Sequence, residues 1–132
     1  MNRIDRIDAA ALGLPGGHYS HAVKAGGFVF LSGQLPKPLT NAGFQAQARQ
    51  ALSNLLVALA AAGGGPRDVV KVTAFIVGVE HWGTFNSVFA ETFGEIRPAR
   101  SVVPTPELHH GYLIEVEAVA IASGTDQAEQ RP

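Results

Sequence analysis

The apolar positions change their period along the chain, and the changes mark out the elements. Tyr19-Ser20-His21-Ala22-Val23 alternates loosely and reads as a short strand. Phe28-Val29-Phe30-Leu31-Ser32-Gly33, built of aromatic and branched residues, reads as a stronger one. The turn Lys24-Ala25-Gly26-Gly27 between them predicts a hairpin. Pro36, Pro38, Asn41 and Gly43 make residues 34–43 a loop. From about Phe44 to Ala62 the period becomes helical. Ala48, Leu52, Leu55, Leu59 and Ala62 recur along one face, with Gln47, Arg49, Gln50 and Asn54 largely between them. Gly63-Gly64-Gly65-Pro66 ends that helix.

Another strand and a second helix follow. Val69 to Val79 is apolar except for Lys71 and Thr73, and a helix from about Glu80 to Phe93 places Trp82, Phe85, Phe89 and Phe93 on one face. A short strand is expected at Ala99–Val103, then a loop through Pro104, Pro106 and His109-His110-Gly111, then a last strand from Tyr112 to Ala122. Residues 1–17 read as a polar lead-in that ends in a Leu14-Pro15-Gly16-Gly17 loop, and residues 123–132 as a polar tail. The order β-β-α-β-α-β-β predicts a single α+β domain over residues 1–122, its mixed sheet covered on one face by two helices. Strands 69–79 and 112–122 look apolar on both faces, so the uncovered face needs a partner. Subunit association supplies one more readily than the short loops do.

Composition narrows the class. Lys plus Arg minus Asp plus Glu gives −1, which argues against a nucleic-acid binder that works by neutralising phosphates. No apolar run approaches the length of a membrane span. There is no cysteine, which excludes disulfides and thiolate chemistry. Met1-Asn2-Arg3-Ile4-Asp5 has an early acid and no apolar stretch, so no secretory leader is expected and a cytoplasmic protein is.

The chemistry concentrates near the C-terminus. In a strand, positions two apart share a face, so Glu115 and Glu117 point the same way, with Leu113 and Val119. Two carboxylates in so apolar a segment each need a partner. Lys71 and Arg100 are the candidate cations. Residue chemistry alone favours ion pairs that set strand register over a site in which one carboxylate faces a cavity. Arg100 is open in the same way: its guanidinium could satisfy Glu115 or hold the carboxylate of a small substrate. Of the histidines, His109 and His110 are adjacent and would diverge in an extended chain. His18 and His21 flank Tyr19 and could line a pocket, though surface positions are the commoner outcome. No spacing suggests a metal site. Ser32 lacks the G-x-S-x-G frame of a serine hydrolase, and the glycines match no phosphate or dinucleotide loop.

Several linked blocks resemble the Rid family of reactive-intermediate deaminases, also called the YjgF family. They are Tyr19-Ser20 with Val23; Phe28 through Pro36; Gln47-Ala48-Arg49-Gln50 with Asn54-Leu55; and Asp68 through Thr73. Phe85-Asn86 with Phe89, Pro98-Ala99-Arg100-Ser101, and Ile114 through Ala120 complete the set, over roughly residues 17–122. The resemblance implies a chorismate-mutase-like α+β fold assembled as a homotrimer, with clefts between neighbouring subunits. It implies hydrolysis of enamines or imines of the 2-aminoacrylate or 2-iminobutanoate type to 2-keto acids and ammonia, with no cofactor and no metal. Arg100 would bind the substrate carboxylate and Glu115 would work with a water. Tyr19, Ser32, Gly33 and Asn86 correspond to pocket positions, and Arg100 is expected to face a neighbour's Tyr19 or Ser32 region. Glu117 is left as the structural acid, beside Lys71.

The sequence also departs from the family pattern. Val102 stands where many members have cysteine, so any role of that thiol is absent. His18, His21 and the 104–111 loop also differ and bear on substrate choice. Two alternatives follow: a deaminase of a larger, aminomuconate-like enamine, or a non-catalytic trimer that binds small carboxylates or serves regulation.

Overall fold

The chain opens with a strand where a polar lead-in was expected. In the computed structural model, which describes residues 3–122, β1 (Ile4–Ile7) is a sheet edge paired antiparallel with β2 (Ala22–Ala25). Four residues are too few to carry a periodicity. The ladder to β2 satisfies the β1 backbone, and Asp5, opposite Lys24, also accepts a 2.9 Å bond from the Arg3 guanidinium. β2 begins later than the alternation suggested, leaving Tyr19 and Ser20 in the loop before it. It turns into β3 (Phe28–Gln34) through Gly26 and Gly27, whose φ of 58° and 83° match the two-residue turn that fits strand twist.

The remaining elements are α1 (Phe44–Ala61), β4 (Val69–Ile76), α2 (Trp82–Phe93), β5 (Ala99–Pro104) and β6 (Ile114–Ile121). The sheet runs β1-β2-β3-β6-β4-β5, with β4 and β5 parallel and every other pair antiparallel. The fold is α+β, as expected, with one more strand than predicted. β4 ends at Ile76, one last bond in the same register running from the Val77 N–H to the Leu113 carbonyl, and a short 3-10 turn at Val79–His81 delays α2 to Trp82. A similar turn at His109–Gly111 delays β6 to Ile114. The tail expected at 123–132 lies outside the described residues. No helix among those residues is long and apolar enough to cross a membrane.

The helices cover one face of the sheet. Ala48, Leu52, Leu55, Leu59 and Ala62 of the α1 stripe and its cap are buried against Val29, Leu31, Val72, Ala74, Ile76, Ile114, Val116 and Ala118. Each of the three leucines, fully shielded, contributes about 1.5–3 kcal/mol. Gln47 and Asn54 were expected between the apolar positions but are buried too, and each is bonded through both its amide nitrogen and its amide oxygen. The Gln47 amide donates to the Ala42 carbonyl and accepts from the Leu113 N–H, each at 2.8 Å. The Asn54 amide donates to the Leu35 and Lys37 carbonyls, both at 2.9 Å, and accepts from Gln50 at 2.9 Å. These bonds lash the 34–43 loop and the approach to β6 onto α1.

No described element covers the other face. Phe28 and Phe30 stand there 44% and 47% exposed, opposite Ile121 and Val119 of β6. Along β4 and β6 this face is mixed rather than apolar as expected, with Lys71, Thr73, Phe75, Glu115 and Glu117 in alternation with the buried positions.

Candidate active site

Near its end β3 leaves regular register with β6, between Leu31 and Gln34, and Gly33 sits in that irregularity. A Cβ at Gly33 would lie 2.7 Å from a Glu115 carboxylate oxygen and 3.0 Å from its carboxyl carbon. The half-buried Glu115 side chain therefore lies directly over the backbone of residue 33, in space that only glycine leaves. It makes no hydrogen bond or ion pair with any other described residue.

The loop before β2 closes over this point. Ser32 donates from Oγ to the Ser20 carbonyl at 2.6 Å and from its N–H to the His21 carbonyl at 3.0 Å, fixing the loop to the end of β3. Tyr19, 48% exposed, accepts a 3.1 Å bond from the Gly16 N–H at its hydroxyl oxygen. Tyr19, Ser32, Gly33 and Glu115 thus line one cavity of about 970 Å³. Four of the residues nominated from the sequence come together. The Ser32 hydroxyl proton is already committed to the loop, which leaves its lone pairs for other contacts.

Arg100 and Asn86 do not line that cavity. Arg100 sits opposite Val72 in the parallel β4–β5 pair, and Val72 faces the helices. Glu115 sits opposite Phe75, on the uncovered face. The two charges therefore project from opposite faces of the sheet, and the internal Arg100–Glu115 ion pair that residue chemistry allowed does not form. The Arg100 guanidinium carbon instead lies 4.9, 5.5 and 5.6 Å from the ring centres of Phe89, Phe85 and Trp82. The ring faces attract the cation. Burial pushes its pKa below the ordinary arginine value, and no described carboxylate opposes the shift. It remains charged at neutral pH. Asn86 is exposed on α2, on the helix side shared by Trp82 and Phe89 at i−4 and i+3.

The expected Lys71–Glu117 pairing is also absent. Lys71 lies opposite Val119 while Glu117 lies opposite Thr73, two residues along the ladder, and Glu117 is exposed enough to stay hydrated.

Several lining residues carried no readable signal. His21, for which a pocket position and the commoner surface position were both open, lines the cavity and is only 4% exposed: its Nδ1 accepts the Ala9 N–H at 2.9 Å and its backbone N–H donates to Asp8 at 3.2 Å. Both partners lie in the lead-in, where no periodicity pointed to contact. Lys37, His109 and His110 also line the cavity. Neighbouring histidines diverge in an extended chain, the expectation for this pair. Here the chain is not extended: His110 has φ 62°, and the two rings are 6.2 Å apart. Among the described residues no group of histidines and carboxylates is placed to hold a metal ion.

Comparison with known proteins gives this arrangement its context. Residues 10–122 match the family model described as endoribonuclease L-PSP. RutC family protein PH0854 of Pyrococcus horikoshii is 40% identical over 111 residues, 80% of this chain and 88% of its own length. "Putative reactive intermediate deaminase TdcF" of Escherichia coli K12 is 37% identical over 114 residues, 81% and 88% of the two chains. The crystal structure of E. coli TdcF with bound serine superposes with a TM-score of 0.84 at 32% identity, covering 90% of this chain and 99% of that one. RidA from an Antarctic Psychrobacter gives 0.83 at 33% identity, covering 89% and 98%. The match begins at residue 10, just after Asp8 and Ala9, the two residues that hold His21. By this extent of agreement the chain belongs to the endoribonuclease L-PSP family, the YjgF or Rid family that its motifs resemble.

Proposed function

We propose that this protein hydrolyses reactive enamines and imines of the 2-aminoacrylate or 2-iminobutanoate type to 2-keto acids and ammonia, at sites shared between the subunits of a homotrimer. The observation that carries the reading is Arg100, a cation desolvated on three aromatic rings with no described carboxylate to pair with. A guanidinium held this way is prepared for a carboxylate that arrives from outside. The name of TdcF, and its structure with bound serine, an amino acid that brings such a carboxylate, support the same substrate class. The family description mentions ribonuclease, but a chain of net charge −1 has no excess of cations with which to follow a phosphate backbone.

The reaction asks little of the protein. An enamine first gains a proton on carbon to become the iminium ion, which an imine reaches by gaining a proton on nitrogen. Water then adds to the C=N carbon, giving up a proton as its oxygen bonds. The resulting carbinolamine loses ammonia once its nitrogen is protonated, and its hydroxyl gives up its proton as the C=O bond forms, leaving the keto acid. Arg100 orients the substrate through its carboxylate, and Glu115, free of other bonds, takes the proton from water and returns it to the leaving nitrogen. Tyr19, Ser32 and Gly33 shape the wall around that carboxyl, and Asn86 contributes beside Arg100.

Both groups act on one substrate only if Arg100 of one subunit reaches the Glu115 cavity of the next. Their placement on opposite sheet faces and the exposed Phe28 and Phe30 are what favour assembly. The test is subunit mixing. Arg100→Ala and Glu115→Gln proteins, each inactive alone, are unfolded together and reassembled in equal amounts. Random trimers then place an intact Arg100 beside an intact Glu115 at about a quarter of the sites, and imine decay should accelerate accordingly. Mixed trimers that form yet recover no activity would rule out the shared site.

A further inference from the structure

We infer that the Glu115 cavity has a second recognition end, built around His21 and Lys37, that takes an acidic group at the far end of the substrate. The preferred substrates are then imines or enamines bearing two carboxylates. For the reaction this rests on the deaminase reading; for the second acid it rests on the cavity alone.

His21 supplies the first observation. Its ring is almost wholly buried, and Nδ1 is committed as acceptor to the Ala9 N–H, so the proton of the neutral ring sits on Nε2. Nothing described bonds to Nε2. Yet no polar side-chain atom among the described residues is both sealed from solvent and without a partner. The little surface that His21 retains therefore includes Nε2, and the residue lines the cavity. It is a rigidly mounted N–H donor open to that space.

Lys37 supplies the second. Its carbonyl accepts from the buried Asn54 amide at 2.9 Å, which anchors the backbone that carries it. Its Nζ lies 3.1 Å from the point where a Gly16 Cβ would sit, and the Tyr19 hydroxyl lies 3.5 Å from the same point. The ammonium and the phenol are neighbours because residue 16 has no side chain. Lys37 has no carboxylate partner among the described residues. The Tyr19 oxygen already accepts from Gly16, which leaves its own proton to donate.

The cavity is thus polarised. Its unspent donors His21, Lys37 and Tyr19 come from the loops on either side of the β2–β3 hairpin, while both of its acids, Glu115 and Glu117, come from β6. A substrate with one carboxylate uses Arg100 and leaves those donors facing water. A second carboxylate would accept from His21, Lys37 and Tyr19 and be repelled from β6, which fixes the long axis of the substrate. At about 970 Å³ the cavity has room for a chain longer than that of 2-aminoacrylate.

The experiment feeds alanine, 2-aminobutanoate, aspartate and glutamate through amino-acid oxidases and follows imine decay with the protein. Wild type should show kcat/KM about tenfold higher for the two dicarboxylate imines, the effect of one charge-assisted hydrogen bond. Lys37→Met should bring that ratio towards one, mainly through KM, and His21→Gln, which keeps an N–H donor, should lower it less than His21→Phe. Because His21 is buried and its variants risk the fold, the solvent-exposed Lys37 carries the decisive comparison. A wild-type ratio near one, or a ratio untouched by Lys37→Met, overturns the inference. Calorimetry with 2-oxoglutarate and 2-oxobutanoate reads the same selectivity without turnover. Tighter 2-oxoglutarate binding that Lys37→Met abolishes, in a protein that consumes no imine, would sink the deaminase reading and leave the second carboxylate end standing; equal binding of the two keto acids would sink the second end.

Discussion

Glu115 and Arg100 leave opposite faces of one sheet, and the protein holds them by different means. The acid is placed by an omission: Gly33 lacks a side chain, so the carboxyl can lie on the β3 backbone, 2.7 Å from the missing Cβ. No hydrogen bond holds it there. The arginine is placed by packing. Phe85 and Phe89 are core residues of α2, Trp82 closes the cluster from the helix start, and the guanidinium rests against all three rings. A group that exchanges protons profits from a setting that does not fix its charge, whereas a group that only binds an anion profits from rigid mounting and lost water. The difference between the two mountings therefore follows the division of labour in the proposed reaction.

That comparison can be broken most sharply at the acid. Glu115→Gln keeps the shape and the approach to Gly33 and removes only proton transfer, so kcat should fall by about 10²–10⁴ while KM stays close to wild type. Stopped-flow decay of an imine made in situ measures both, and a wild-type kcat would remove Glu115 from the mechanism. Arg100 should fail differently. Arg100→Ala loses the carboxylate contact, and kcat/KM should drop by about 10²–10³ with KM carrying much of the loss. Arg100→Lys keeps a cation against the rings but loses the planar fork, and should recover only part. If alanine and lysine behaved alike in KM, the bidentate role would be wrong.

The contrast also separates what could be read from the residues from what could not. The α1 stripe was legible because a helix on a sheet has one dry side, so Ala48, Leu52, Leu55 and Leu59 must repeat at its period. The facing of Glu115 was legible from strand alternation. That of Arg100 was not, because β5 lies at the sheet edge and its face depends on a parallel register with β4 that no local pattern encodes. The Rid-like motifs supplied Arg100 and Glu115 together, and the fold explains how both can stand in one pattern without touching. β1 escaped notice because its apolar residues are two and its partner lies some 18 residues on. The loop side of the cavity escaped for a related reason. His21 with Ala9, Asn54 with Lys37, and Tyr112 with Leu39 are closures over 12, 17 and 73 residues made by single hydrogen bonds. Periodicity reports where a chain is dry; it is silent on which loop carbonyl a side chain will find.

The smallest expected effect is the most discriminating. Gly33→Ala adds one methyl where the Glu115 carboxyl now lies, and its nearest neighbour would be the far end of that flexible side chain rather than backbone. Residue 33 is not in the left-handed region, so alanine brings no backbone penalty of its own. The fold should accommodate it, with a thermal midpoint within a few degrees of wild type. The carboxyl, however, must swing aside by roughly an ångström, and displacements of that size can cost up to about 10² in rate. A loss of about tenfold in kcat, with carboxylate binding at the Arg100 side retained in a calorimetric titration, is the expected result. Were Gly33→Ala to unfold the protein, the glycine would serve the irregular β3–β6 pairing instead of the acid. Were it fully active, the exact seat of Glu115 would not matter, and the acid would be as indifferent to its mounting as a solvent-exposed buffer group. A partial, kcat-confined loss in a stable protein is the outcome that ties one missing atom in β3 to the reactivity of a carboxyl on β6.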